Sequence, residues 1–162
     1  YFIKTATACL RKEILDKFYD YNLPVEKGWL LYDMQLYLEV AKHSAINYIN
    51  QSLATYRITD SVSNQLDPAK RYRFHQSVFD VKFYYISKYK TDIKIVKKLM
   101  KWAYTVYLYD AYNIGDYALS RKIRSDMNAK KVRSGFKNFI IIVFTKFASL
   151  NSFTNSIIRK IF

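Results

Sequence analysis

The sequence predicts a mainly α protein, a helical bundle preceded by a small segment that mixes helix and strand. Only 3 of the 162 residues are glycine and 2 are proline, so residues that interrupt helices are scarce. Through most of the chain, apolar residues recur at spacings of three and four, as they do along one face of a helix. The runs that we interpret as strands all lie within the first 60 residues.

The first 44 residues predict a short strand, a short helix, a loop and a longer helix. The strand covers residues 1–8, the short helix covers residues 11–18, and the loop covers residues 19–28 and ends at a glycine. The longer helix contains Asp33 in its first turn and ends near His43 and Ser44. Its predicted buried face consists of Leu31, Met34, Leu38 and Ala41, with Leu30 and Val40 beside them.

Two further strands are predicted at residues 45–49 and 52–58, which are rich in β-branched and aromatic residues. A polar surface loop follows at residues 59–66. These strands and the first helices form the small α/β remnant of the predicted fold.

From Asp67 onwards the sequence predicts helices alone. Asp67 and Pro68 form a helix start, with an acid at the N-cap and proline at the first helical position. The predicted helices cover residues 68–88, 92–113, 116–127, 136–150 and 152–161, with breaks at Gly115 and Gly135.

The charge divides the chain at the same place. Residues 1–66 carry seven basic and seven acidic side chains, whereas residues 67–162 carry twenty basic and six acidic ones. The second part therefore holds the whole net charge of +14, and no acid follows Asp126. We predict two domains, residues 1–66 and residues 67–162, the second being a basic and aromatic helical tail.

Several classes of site are excluded or disfavoured by the composition. Cys9 is the only cysteine, which rules out an internal disulfide and a cysteine-rich zinc site and suits a reducing cytoplasm. His43 and His75 are isolated, and we expect each at a helix end or on the surface. The apolar run 139–144 is far shorter than the roughly 20 residues of a membrane span, so it is either core or one face of a helix lying on a membrane.

Asp33 allows two interpretations from the residues alone. A carboxylate in the first turn of a helix is stabilised by the helix dipole and by backbone N–H groups that have no partner within the helix. Asp33 would then have a purely structural role. Alternatively, it is a general base held rigidly beside a pocket.

A series of motifs supports the second interpretation. Residues 5–12 read Thr-Ala-Thr-Ala-Cys-Leu-Arg-Lys, and residues 32–38 open a helix with Tyr-Asp. Residues 46–49 and 53–58 then lead through Tyr-Arg-Ile to a serine-containing loop at residues 61–63. In this order, the motifs resemble the second half of the catalytic domain of family 2 glycosyltransferases, in particular bacterial enzymes that build surface polysaccharides. The resemblance covers about residues 1–66.

The resemblance implies the following roles. Asp33 matches the aspartate that deprotonates the acceptor hydroxyl in an inverting displacement, although Tyr32 replaces the residue that usually precedes it. Arg57 matches an arginine that can orient a diphosphate, or it forms a structural ion pair at a strand end. Tyr32, Trp29 and Thr5 would bind substrate together with Arg57. Thr59 stands where many members have a histidine, so no residue is assigned to a metal.

The nucleotide-binding half of that catalytic domain, with its Asp-x-Asp motif, does not occur in this sequence. The resemblance therefore implies the carboxy-terminal part of a GT-A-type enzyme, cut or processed from a longer chain, since this sequence begins at Tyr1. Alone it would be inactive and bind no cofactor. The intact enzyme would use Mg²⁺ or Mn²⁺, a nucleotide-sugar donor and a glycan or lipid-linked acceptor. It would be cytoplasmic and peripheral at the inner face of the membrane.

A different class of function stays open for the basic tail. Interleaved Tyr, Phe, Lys and Arg at a pI of 9.7 could bind nucleic acid through phosphate contacts and stacking. The tail could equally be an interaction scaffold, or a basic surface without a ligand. A neutral first part beside a basic second part suits an anionic membrane as well.

Overall fold

The computed structural model describes residues 8–51, 67–133 and 135–144. These residues form seven helices and no strand, so the predicted mainly α class is confirmed for the described part of the chain. The helices are α1 (Lys12–Phe18), α2 (Leu23–Glu26), α3 (Tyr32–His43), α4 (Pro68–Lys88), α5 (Ile93–Ile114), α6 (Tyr117–Ala129) and α7 (Phe136–Phe144).

Helix starts in the second part follow the predicted capping chemistry. The Asp67 carboxylate accepts hydrogen bonds from the backbone N–H groups of Ala69 at 2.8 Å and Lys70 at 3.3 Å, directly before Pro68. The carboxylates of Asp92 and Asp116 cap α5 and α6 in the same way. Each cap satisfies an N–H group that has no partner within the helix, which stabilises the helix by about 1 kcal/mol.

Gly115 ends α5, as the sequence predicts. Its φ of 79° lies in the left-handed region, where a side chain would be strained. The N–H groups of Gly115 and Asp116 donate to the carbonyls of Tyr112 and Ala111, which closes the last turn and starts α6 at once.

Two apolar clusters hold the helices together. The larger joins α5, α6 and α7, and its buried members are Tyr104, Leu108, Ala111, Tyr112, Ile123, Met127, Ile141 and Ile142. The smaller joins the α2–α3 region to α4 and consists of Leu23, Trp29, Val81 and Tyr85. Complete burial of one such aliphatic or aromatic side chain contributes about 1.5–3 kcal/mol. The smaller cluster packs the first part of the chain against the tail helix α4, and the boundary predicted between the two domains stays a prediction.

The apolar run of α7 divides between core and surface. Ile141 and Ile142 are buried against α5 and α6, whereas Phe139 is 59% exposed. Core packing, one of the two predicted roles of this run, is therefore confirmed for its buried side.

Three predictions on the first part are wrong. Residues 45–49 form no strand: they are irregular and exposed, and strand propensity yields a strand only where a ladder partner and a buried face are supplied. The predicted loop 19–28 contains the short helix α2, which the Asp20 carboxylate starts by accepting from the N–H groups of Asn22 and Leu23. The buried face of α3 is displaced in part: Leu31 and Val40 are buried as expected, whereas Ala41 is exposed.

Polar residues account for that displacement. The most buried side chains of α3 are Gln35, at 0% exposure, and Glu39, at 3%. Both bind polar groups distant in sequence, whereas Met34 and Leu38 pack only partly against the smaller cluster. The predicted strands at 1–8 and 52–58 and the helix at 152–161 lie wholly or mostly outside the described residues.

Candidate functional site

The start of α3 is fixed by the segment that precedes it. Gly28 has a φ of 63°, which turns the chain out of α2. The N–H group of Trp29 then donates to the Pro24 carbonyl at 2.9 Å, and that of Leu30 donates to Ser77 Oγ on α4 at 2.7 Å. Hydrogen bonds therefore hold the backbone of Trp29 and Leu30 in place just before α3 begins at Tyr32.

Asp33 lies in the first turn of α3, as predicted, and its side chain is half-buried. One carboxylate oxygen accepts a hydrogen bond from the N–H group of Met34 at 2.8 Å. The carboxylate therefore sits at the N-terminal end of α3, the positive end of the helix dipole.

Tyr32 precedes Asp33 in α3, and Tyr19 lies close enough to Asp33 for the carboxylate charge to act on its hydroxyl. Tyr32 is 51% exposed and Tyr21 is 61% exposed. The Tyr19 hydroxyl donates to the Tyr32 carbonyl at 3.4 Å, and the Tyr19 and Tyr21 rings meet edge to face with centroids 4.7 Å apart. Burial raises the pKa of Tyr19, and the negative charge of Asp33 contributes to the rise, so Tyr19 remains a neutral hydroxyl donor.

We call Asp33 with Tyr19, Tyr21 and Tyr32 the α3 site. It consists of a carboxylate in the first turn of a helix, the half-buried ring of Tyr19 and the exposed rings of Tyr21 and Tyr32. Aromatic rings present apolar faces on which the C–H faces of a sugar ring can pack, and phenol hydroxyls can exchange hydrogen bonds with sugar hydroxyls. A carboxylate can accept a proton from one such hydroxyl.

The other predicted site residues have different surroundings. Trp29 is only 5% exposed, and its ring packs edge to face on Tyr84 with centroids 5.3 Å apart. Its predicted role in substrate binding stays a prediction, and the role visible in the fold is packing. Thr5 and Arg57 lie outside the described residues, so their roles also stay predictions.

Sequence patterns did not indicate the buried carboxylate of Glu39. Glu39 Oε1 accepts from the Tyr85 hydroxyl at 2.9 Å and from the Lys88 ammonium, and Oε2 accepts from the Tyr89 hydroxyl at 2.5 Å. Burial, the largest influence, raises the pKa of Glu39, but these three hydrogen bonds outweigh it and hold the pKa below 4.5. Burial and the hydrogen bonds to Glu39 raise the pKa of both tyrosines, so both stay protonated donors.

A second buried carboxylate, Asp110 of α5, has 0% exposure and two partners on α4. Arg71 Nε donates to Oδ1 at 3.0 Å, and His75 Nδ1 lies 2.6 Å from Oδ2. Because a carboxylate only accepts, Nδ1 carries the proton of this hydrogen bond. The prediction that His75 is isolated is wrong, since its partner lies 35 residues away. His43 does end α3 as expected, stacked on Phe18 with ring centroids 3.8 Å apart, but it is not isolated either, since its Nε2 lies 3.7 Å from Glu39 Oε2.

A half-open cavity of about 520 Å³ lies between α4, α5 and α6. Tyr72, Tyr104 and Tyr107 line it, with polar groups that include Gln76, Asp80, Lys122, Asp126 and Lys130. Its size is ordinary for a small-molecule pocket. Among the described residues, Trp29, Tyr32 and Asp33 do not line this cavity, so it is separate from the α3 site.

The resemblance implies a divalent cation in the intact enzyme, and the residues described here do not supply a site for one. Within residues 8–51, 67–133 and 135–144, no group of three His, Cys, Asp or Glu side chains is arranged to hold a metal ion. The chemistry of the α3 site is therefore derived from its own side chains.

Comparisons of this chain with protein families, with curated proteins and with solved structures found no match.

Proposed function

We propose that this chain is the carboxy-terminal, acceptor-side part of an inverting, nucleotide-sugar-dependent glycosyltransferase, with Asp33 as the catalytic base. The observation that carries the proposal is the position of Asp33, held in the first helical turn of α3 next to the exposed Tyr32. The ordered motifs of residues 1–66 support it further, because they resemble the acceptor-side half of family 2 enzymes.

The proposed reaction is a single displacement. Asp33 takes the proton of an acceptor hydroxyl while that oxygen attacks the anomeric carbon of the donor sugar. The bond from that carbon to the nucleoside diphosphate breaks on the opposite face, and the diphosphate departs with the bonding electrons. The anomeric configuration is therefore inverted. Tyr32 and Tyr21 would pack against the acceptor sugar, and the donor would be bound by a part of the enzyme that this chain does not contain.

We further propose that the basic tail holds the enzyme at the inner face of a membrane, where a lipid-linked acceptor would be presented. Of the helices in the described segments, none has the length and hydropathy that crossing a bilayer requires. The positive charge of residues 67–162 would bind this part of the enzyme to an anionic membrane surface.

The decisive experiment replaces Asp33 with asparagine in the full-length enzyme that contains this chain. The amide keeps the shape of the side chain and cannot accept the proton, so we expect turnover to fall by about 10²–10⁴-fold. Turnover is measured as nucleoside diphosphate release from a panel of nucleotide-sugars, with membrane extracts as the source of acceptor. Residues 1–162 alone should show no transfer.

Asp16→Asn is the matched control, because Asp16 is an exposed carboxylate on α1 outside the α3 site. That variant should retain its turnover. Near-normal turnover of Asp33→Asn would instead make Asp33 a structural residue of the helix start and would overturn the proposed role.

A further inference from the structure

The first half of α5 carries a row of lysines on its solvent side. Lys94, Lys97, Lys98 and Lys101 follow one another at spacings of three, one and three residues, and all four are exposed. In a helix these spacings place the four ammonium groups along one side. The sequence contains no acid between Asp92 and Asp110, and among the described residues none of the four lysines pairs with a carboxylate.

Apolar side chains lie along one edge of this lysine row. Ile95 is 55% exposed and Trp102 is 52% exposed, and each lies three or four residues from Lys98, on the same side of the helix. Ile93 is 61% exposed at the start of α5. Lys82 of α4 places its ammonium 4.0 Å from the centre of the Trp102 ring, which brings a fifth positive charge to this edge.

The start of α7 supplies further exposed aromatic rings. A Cβ added to Gly135 would lie 3.5 Å from Lys101 Cε, so the chain enters α7 directly beside the lysine row. Phe136 and Phe139 follow at 77% and 59% exposure, three residues apart and therefore on one side of α7. Large apolar side chains exposed together near a row of lysines are unusual on a protein surface that has no binding partner.

We propose that this surface, the exposed side of Ile93–Trp102 together with Phe136 and Phe139, binds an anionic phospholipid leaflet. We call it the basic aromatic face. Lysine ammonium groups would lie among the lipid phosphates, and the aromatic and aliphatic side chains would enter the interfacial layer, where tryptophan is favoured. The exposed isoleucines favour lipid over nucleic acid. Aliphatic groups form no favourable contact with phosphates, whereas their transfer from water into lipid lowers the free energy.

This inference specifies the surface for the peripheral location proposed above and rests on that part of the proposed function. Vesicle binding and sugar transfer are measured separately. If the chain binds vesicles and the Asp33→Asn enzyme retains its turnover, only the catalytic role of Asp33 is contradicted. If the enzyme is active but does not bind vesicles, only the membrane-binding surface is contradicted.

The first test is sedimentation of the full chain with vesicles of 30% anionic and 70% zwitterionic phospholipid, beside purely zwitterionic vesicles. The test variant replaces Lys94, Lys97, Lys98 and Lys101 with glutamine, which has a similar helix propensity. The control removes the same charge from exposed positions outside the face, by Arg121→Gln, Lys122→Gln, Arg124→Gln and Lys131→Gln. Circular dichroism and thermal melts verify that both variants are folded.

Each lysine near the leaflet is worth about fivefold in partitioning, so the α5 variant should lose on the order of a hundredfold or more. The control should lose less than about tenfold, because its charges lie farther from the lipid and are screened. Equal losses in the two variants, equal binding to zwitterionic vesicles, or tight binding of random-sequence RNA or DNA without vesicle binding would each overturn the proposal.

The second test follows Trp102 itself. The chain has two tryptophans, and Trp29 is buried, so Trp29→Phe leaves Trp102 as the only tryptophan emitter. Its emission should shift to the blue on addition of anionic vesicles and be quenched by brominated lipids. Trp102→Phe, which retains Trp29, should show neither change. Binding without any response of Trp102 would show that a different surface meets the membrane.

Discussion

The Tyr85 hydroxyl of α4 donates to Glu39 Oε1 of α3 at 2.9 Å, which joins two residues 46 positions apart in a buried hydrogen bond. Tyr85 belongs to the basic second part of the chain, and Glu39 belongs to the first part, to which we assign the acceptor site in our proposal. Lys88, the last residue of α4, and Tyr89, which follows it, also donate hydrogen bonds to this carboxylate. The helix that positions Asp33 is therefore anchored by the tail, and the tail has a role in holding the α3 site in place.

Replacing Tyr85 with phenylalanine should lower the free energy of unfolding by about 1–3 kcal/mol. The variant removes one buried donor from Glu39 and keeps the ring, so the loss reports the hydrogen bond more than the packing. Chemical denaturation monitored by circular dichroism measures the loss.

Tyr84→Phe is the matched control on the adjacent residue. The Tyr84 hydroxyl forms no hydrogen bond with a residue in the described part of the chain, and the ring contact with Trp29 is retained. The control should change stability by less than about 0.5 kcal/mol. Equal losses for the two variants would mean that the Tyr85 hydroxyl has no special role.

The lowered pKa of Glu39 predicts that the stability of the chain depends on pH. Its pKa in the folded chain lies below its ordinary value of 4.5, so its contribution to stability is fully present above about pH 5 and is lost as pH falls through the lower, folded pKa. We expect Glu39→Gln to be less stable than the unmodified chain at pH 7, and the difference between the two to shrink below pH 4.5. Urea unfolding at several pH values measures it.

Glu13→Gln supplies the comparison for that series, because Glu13 is exposed on α1. Its stability should follow that of the unmodified chain at every pH within about 0.5 kcal/mol. A constant difference between the unmodified chain and Glu39→Gln down to pH 3 would contradict the coupling of Glu39 to stability.

The helices of the second part could be predicted from the sequence because their causes are local. An acid at an N-cap, a following proline or a glycine after the last turn acts within four residues, as at Asp67, Pro68 and Gly115. The buried carboxylates of Glu39 and Asp110 could not be predicted, because the groups that compensate for their burial lie 35 to 50 residues away. Periodicity assigns polar residues to the surface, and a distant partner changes that assignment.

The α3 site divides in the same way. The position of Asp33 in the first turn follows from the helix pattern and its start. Tyr19 comes from a segment predicted as a loop, and the hydrogen bond from its hydroxyl to the Tyr32 carbonyl, 13 residues away, places it beside α3. The Tyr21 ring packs on that of Tyr19.

Removing one partner of Asp110 should be costly, since it leaves a fully buried carboxylate with incomplete compensation. We expect Arg71→Met to lower the free energy of unfolding by about 3 kcal/mol or more. Arg73, two residues further along α4, is exposed, so Arg73→Met should have almost no effect. Both are measured by chemical denaturation.

The double variant Arg71→Met with Asp110→Asn separates pairing from packing. Because the amide removes the uncompensated charge, the double variant should lose less stability than the sum of the losses in the two single variants. Strict additivity would contradict a direct interaction between Arg71 and Asp110.

Tyr32 and Trp29 should differ when each is replaced by alanine in the full-length enzyme, although the resemblance implies substrate binding for both. Tyr32 is 51% exposed beside Asp33, so its removal should raise KM for the acceptor with little change in kcat or in melting temperature. Trp29 is 5% exposed in the smaller cluster, so its removal should cost about 3–5 kcal/mol of stability.

Tyr48→Ala, at an exposed tyrosine outside the α3 site, is the control for Tyr32 and should leave both kinetic constants unchanged. An unchanged acceptor KM in Tyr32→Ala would remove that ring from the acceptor site, and a stable Trp29→Ala enzyme with a raised KM would return Trp29 to it.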